Sequence, residues 1–185
     1  MSRALRVCWR LCCCFRFHSY LQHVDFPLLA SFERPRELHT WDAHEATISQ
    51  STSWSIRGSA SMRVQGSAGT EYPGTSLQWP MENWSEFSAL EMDVLNPGDK
   101  PLTLRINIAD RLHAASGNAE TDRFRTSAEL PSATHVHVRI ELADVRNAPA
   151  SRRMDMTRIA SLNLFIVRPE SDVVFMVDNV RLVGN

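Results

Sequence analysis

Strict two-residue alternation over short runs constrains this chain more than any other feature of it. In Leu102-Thr103-Leu104-Arg105-Ile106-Asn107-Ile108 the apolar side chains point one way, and Thr103, Arg105 and Asn107 point the other. The same period runs through Ser61 to Gln65, through Ala89 to Leu95, through His135 to Leu142 and through Leu162-Asn163-Leu164-Phe165-Ile166. Such a pattern fits strands with one buried and one wet face, which means antiparallel sheets. Turn chemistry separates the runs: "NPGDKP" at 96–101 and "YPG" at 72–74. Long helical periodicity is absent. Short helical turns are expected at Met154 to Ile159 and within "LADVRNAP" at 142–149. About eight to ten short strands with regular turns predict an all-β fold, a two-sheet antiparallel β-sandwich of the jelly-roll type.

The 185 residues suit one domain of roughly 150 residues plus a tail. Arg3, Arg6, Arg10 and Arg16 precede the first acid, Asp25, so residues 1–24 carry +4. The remaining 16 basic residues against 21 acids give residues 25–185 a net charge of −5. A balance of −1 overall, with scattered arginines, predicts no nucleic-acid partner. All four cysteines fall at Cys8, Cys12, Cys13 and Cys14, which leaves residues 15–185 without a disulfide framework. Residues 1–28 are read as a basic, cysteine-rich tail, disordered or membrane-proximal, and residues 29–185 as the domain. Arg10 and Arg16 interrupt the apolar run of the tail, whose longest piece, Leu11 to Phe15, is shorter than a signal-peptide core. The tail is either the juxtamembrane remnant of a longer parent or an over-extended start.

The closing stretch "VVFMVDNVRL" at 173–182 sets a puzzle. Simple alternation puts Asp178 on one face with Val174, Met176, Val180 and Leu182. A carboxylate on an apolar face is costly unless it is paired, hydrogen-bonded or metal-bound. The non-metal solutions are a salt bridge, or an Asp that accepts backbone N–H groups at a bulge.

Three arrangements carry candidate chemistry. Arg105 and Asn107 share an outward track, with Asp110 and His113 just beyond it; Asp122, Arg123 and Arg125 lie across the long strandless loop 111–123. Phe165 sits opposite Leu162, Leu164 and Ile166, so it faces outward. Hydrogen-bonding side chains with an aromatic plate suit a sugar ligand; the same arginines and aspartates also suit an internal network that holds the loop. Trp79 and Trp84 are candidates for a groove wall or for the core. His135-x-His137-x-x-x-Glu141 is similar to the metal-binding core of cupins, but Glu129 stands where cupins carry Gly, and no His follows His137. Glu91 and Asp93 are paired acids on one strand face, read as polar surface in preference to catalysis. Neither a Gly-x-Ser-x-Gly elbow nor a phosphate loop occurs.

Taken together, "SFERPREL…W" at 31–41, "ALEMDVLNPGDKPLTLRINIAD" at 89–110, "DRF" at 122–124 and "VVFMVDNVRL" resemble carbohydrate-binding modules with a galactose-binding-like jelly roll, over roughly residues 29–183. The resemblance implies a non-catalytic module with a polysaccharide or glycan ligand, in an extracytoplasmic or membrane-associated setting. It implies a structural calcium where the first and last strands meet, with Glu33 and Asp178 as ligands and turn carbonyls near Gly58-Ser59. The chain is also similar to modules attached to VanZ-type bacterial membrane proteins, which implies a membrane-embedded parent or partner. The alternatives are a cupin-like metal enzyme using His135, His137 and Glu141, and a protein-interaction module on the same fold.

Overall fold

A computed structural model of the protein describes residues 25–78 and 83–184. Most of the basic tail, and Trp79, lie outside the described residues. Eleven strands occur among the described residues, every pair antiparallel. Six of them, β1 (Leu28–Ala30), β3 (Ala46–Ser51), β4 (Ser61–Gly66), β6 (Ala89–Asn96), β9 (Thr134–Glu141) and β11 (Val173–Val183), form one sheet in the order β3-β4-β11-β6-β9, with β1 also on β11. The other sheet has the order β2-β5-β10-β7-β8, from β2 (Trp41–His44), β5 (Gly74–Gln78), β10 (Ile159–Phe165), β7 (Leu102–Asp110) and β8 (Phe124–Leu130). The chain crosses between sheets at almost every turn, as a jelly roll does.

The alternating runs supply the core. Leu90, Met92 and Val94 of β6 belong to one continuous apolar cluster with Leu104, Ile106 and Ile108 of β7 and with Leu162 and Leu164 of β10. Trp84 is fully buried there, so it packs the core and forms no groove wall. Phe26 packs on the same cluster and meets Phe87 edge to face at 5.2 Å, so the folded domain begins a few residues before position 29.

The closing strand departs from simple alternation. Val173, Phe175 and Val177 face the core, and so do Val180 and Leu182; Asp178 does not. A bulge at Asp178-Asn179 inverts the frame: Asn179 takes φ 54°, and the pairing with β6 shifts register between Asp178 and Arg181. Asn tolerates that left-handed conformation better than a β-branched residue would. At the same point β11 changes its other neighbour, from β4 against 173–177 to β1 against 180–181. Asp178 therefore lies on the outer face of the six-stranded sheet, where the segment after β3 covers it.

The stretch 142–149 contains the expected helix, α2 (Leu142–Asn147), which follows the shorter α1 (Leu112–Ala115). Met154 to Ile159 forms no helix. Its backbone groups are engaged elsewhere: Met154 N–H donates to the Arg146 carbonyl, Asp155 N–H to the Asp110 carboxylate, and the Met156 carbonyl accepts from Trp84 N–H. The segment closes only a single turn, Arg158 N–H to the Asp155 carbonyl, and the Met156 carbonyl that a longer helix would use is taken by Trp84.

Candidate functional site

The outward face of the five-stranded sheet carries a groove of about 910 Å³. Strand register builds it in cross-strand rows. Gly74, Phe165, Arg105 and Ser127 lie side by side on β5, β10, β7 and β8, with His44 beyond Gly74 on β2. One row along stand Ser76, Asn163, Asn107 and Arg125. Neighbouring strands are ~4.8 Å apart, so each row is a ladder of side chains at close spacing.

An aromatic pair closes one end. Tyr72, 46% exposed, meets Phe165 edge to face at 5.8 Å between centroids. Gly74 makes room for Phe165: a Cβ at position 74 would collide with the Phe165 Cβ and the Leu164 carbonyl. At the other end Arg125 pairs with Glu120 at 2.6 Å, and Arg123 approaches the same Glu120 at 3.8 Å. Burial pushes the His44 imidazole below its ordinary range, against the opposing charges of Asp42 and Glu45.

Of the residues singled out from sequence, Arg105, Asn107, Arg123, Arg125 and Phe165 come together here. Asp110, His113 and Asp122 do not line the groove. They belong to a buried network around Arg152, a residue that sequence reasoning missed. The Arg152 guanidinium donates to both oxygens of Asp110 at 2.6 and 2.8 Å and to both oxygens of Asp122 at 2.7 Å. Asp110 also accepts N–H groups of Leu112, His113 and Asp155. The Arg152 hydrogen bonds outweigh burial and hold the Asp122 carboxyl at about 2. This fork ties the loop that bears Arg123 to the segment before β10.

The resemblance places calcium at Glu33 and Asp178. The two acids do lie at the same end of the sandwich and grip one loop, but through peptide groups. Asp178, fully buried, accepts N–H groups of Ile56 and Arg57 at 2.7 and 2.8 Å on one oxygen and Asn179 N–H at 2.6 Å on the other. Glu33 accepts N–H groups of Ser59 and Ala60, both at 2.8 Å, and the Ser59 hydroxyl. The turn around Gly58 thus presents N–H groups and not the expected carbonyls. Calcium needs six to eight oxygens free of competing protons, and every oxygen of this pair already faces a donor. The arrangement does not fit a calcium ligand set. Burial raises the Asp178 carboxyl above its ordinary range, with the N–H groups opposing and Asp93 adding to the rise.

Gly58 is required at this turn. Its φ is +74°, and a Cβ there would collide with the Glu33 carboxylate. Gly58→Ala is expected to cost about 1–3 kcal/mol in a denaturant titration.

The outer face of the six-stranded sheet holds the remaining candidates. His135 Nε2 and His137 Nδ1 each meet the same Asp93 oxygen at 2.9 Å, and Asn179 donates to the other oxygen at 2.8 Å. Burial raises Asp93, but the Asn179, His137 and His135 hydrogen bonds prevail and hold it low. Glu91 is gripped by Arg139 and Arg181. Glu91 and Asp93 are therefore buried members of a charge network, not open polar surface. Glu141 pairs with Arg139 at 2.7 Å and does not converge with the histidines. Among the described residues no group of three or more His, Cys, Asp or Glu is arranged to hold a metal ion, which removes the geometric basis for the cupin-like alternative.

No protein-family model matches the chain, and no curated protein matches it. Solved structures do. The family 11 carbohydrate-binding module of Clostridium thermocellum, in complex with a β-1,3-1,4-mixed-linked tetrasaccharide, is similar at TM-score 0.63 and 22% identity over 85% of this chain and 94% of that one. This chain has a carbohydrate-binding-module-like fold. The CBM22-1 xylan-binding domain from Paenibacillus barcinonensis is similar at TM-score 0.55 and 17% identity, covering 85% of this chain and 96% of that one. An exo-β-agarase is similar at TM-score 0.68 and 18% identity over 85% of this chain, which spans only 25% of the agarase.

Proposed function

We propose that this protein is a non-catalytic carbohydrate-binding module whose ligand lies in the groove on the five-stranded sheet. The observation that carries the reading is the aromatic pair Tyr72–Phe165 heading adjacent rows of hydrogen-bonding side chains on the outward face of the five-stranded sheet. A pyranose presents C–H groups to an aromatic plate and hydroxyls to planar amides and guanidinium groups, which Asn107, Asn163 and Arg105 supply. The groove volume is in the range of small-molecule sites. Glycoside hydrolysis needs two carboxyl groups; among the described lining residues Glu120 is the sole acid, and Arg125 occupies it. The tetrasaccharide bound by the similar family 11 module supports a sugar chain as ligand.

A glycan array of neutral and acidic polysaccharides tests the reading. Retention on at least one sugar chain is expected; silence throughout would favour a protein-interaction module instead.

Three finer points belong to the same proposal. An extracytoplasmic setting suits a polysaccharide ligand. Attachment to a VanZ-type membrane partner rests on the resemblance to modules of such proteins and on the basic tail that fits it, and is tested by asking whether the full chain, but not residues 25–185, sediments with membranes. The peptide N–H groups, and not calcium, hold Glu33 and Asp178. Melting in calcium and in a chelator is therefore expected to give the same midpoint within about 2 °C, whereas a bound ion at a hundredfold excess over its Kd would add ~2.7 kcal/mol.

A further inference from the structure

We propose that the groove selects an anionic sugar chain, one bearing uronate carboxylates or sulfate esters. The inference rests on the glycan-binding reading above and names the ligand class within it. The domain as a whole is acidic, with 21 acids against 16 basic residues over 25–185. The groove reverses that sign. Three arginines, Arg105, Arg123 and Arg125, line it against one carboxylate, Glu120, which leaves a surplus of two positive charges. Asp110 and Asp122 do not reduce it, because both are committed to Arg152 and neither lines the groove. Asp42 on β2 and Glu129 on β8 share the outward face of the sheet but stand outside the groove lining, and Glu129 accepts from the Thr103 hydroxyl.

The guanidinium groups are also under-used. Arg105 is exposed on β7, directly across from Phe165, and has no acceptor among the described residues. Arg123 has a buried Nε without an acceptor, and it shares Glu120 with Arg125. Its side chain is about three-quarters covered and the Nε itself is closed to solvent, so Arg123 contributes charge to the groove wall and not a free Nε donor. Neutral hydroxyls could take single hydrogen bonds from such groups. A carboxylate or sulfate takes two at once from one planar fork, with opposite charge. A sugar ring stacked on Phe165 would place a charged substituent one strand away, over Arg105.

Isothermal titration of the full chain decides the matter with matched probes. Oligogalacturonate is compared with its methyl ester, and a sulfated galactan oligosaccharide with its desulfated form; polyglutamate is the non-sugar control. The expected result is that at least one charged sugar binds about tenfold or more tightly than its neutral counterpart. That preference is expected to weaken with salt and to vanish in Arg105→Gln, whose exposed position spares the fold. The uronate and sulfate arms identify which anion is read. Equal affinity for charged and neutral members overturns the charge selection and leaves the glycan reading standing. Equal binding of polyglutamate overturns selection of a sugar. No binding in any arm overturns the anionic selection, and the glycan reading then stands or falls on the array.

Discussion

Replacing Arg152 by Met is expected to destabilise the domain by about 3 kcal/mol, the largest effect of any single change away from the core. The substitution leaves Asp110 and Asp122 buried without their shared cation. An unpaired buried carboxylate costs more than the hydrogen bonds it loses. For a domain of this size the loss corresponds to a fall in melting temperature of roughly 6–12 °C. Adding Asp122→Asn to the Arg152→Met variant should recover part of the loss, because one stranded charge is removed. The pH dependence follows from the same pair. Asp122 is held at about 2 in the folded protein, below its ordinary value. Its stabilising contribution is therefore complete above pH ~4 and is lost as pH falls through 2. The wild-type protein should lose stability across that window, and the Arg152→Met variant should lose less. Equal acid slopes in the two proteins would contradict the role given to this network.

Phe165→Ala is expected to weaken glycan binding by at least about tenfold, or ~1.4 kcal/mol. Aromatic side chains contribute a large flat contact area, and Phe165 is half-buried against Gly74 and Tyr72 at the head of the groove. Loss of packing could also lower stability, so Tyr72→Ala provides the second reading: that ring is 46% exposed and its removal should spare the fold. Calorimetric titration with the glycans retained on the array, alongside a thermal melt, separates the two effects. Unchanged affinity in both variants would remove the aromatic platform from the binding site.

The sandwich is legible in the sequence because period two marks a strand with one face toward the core, and the apolar residues Leu90, Met92 and Val94 of β6, Leu104, Ile106 and Ile108 of β7, and Leu162 and Leu164 of β10 keep that period. The closing strand misled because one extra residue inverts every face beyond it. Its signal was present: Asp178-Asn179 is a polar pair, with a residue that tolerates positive φ, inside an apolar run. In the groove, Arg105, Asn107 and Phe165 were legible as outward members of alternating strands. Asn163 carries the same signal, two residues before Phe165 on the same face. Tyr72 and His44 come from a turn and from the short strand β2, where alternation says little. The place of Asp110 and Asp122 is not legible from local pattern, because their partner Arg152 lies 42 and 30 residues away. The N–H groups around Gly58 that replace the expected cation leave no trace in side-chain chemistry at all.

Backbone amide shifts during titration with a retained oligosaccharide test the central claim most directly. The account predicts perturbations confined to residues 72–76, 105–107, 123–127 and 163–167, which approach one another only across the groove on the five-stranded sheet. Perturbations centred on Glu91, Asp93, His135 and His137, on the opposite sheet, would contradict it.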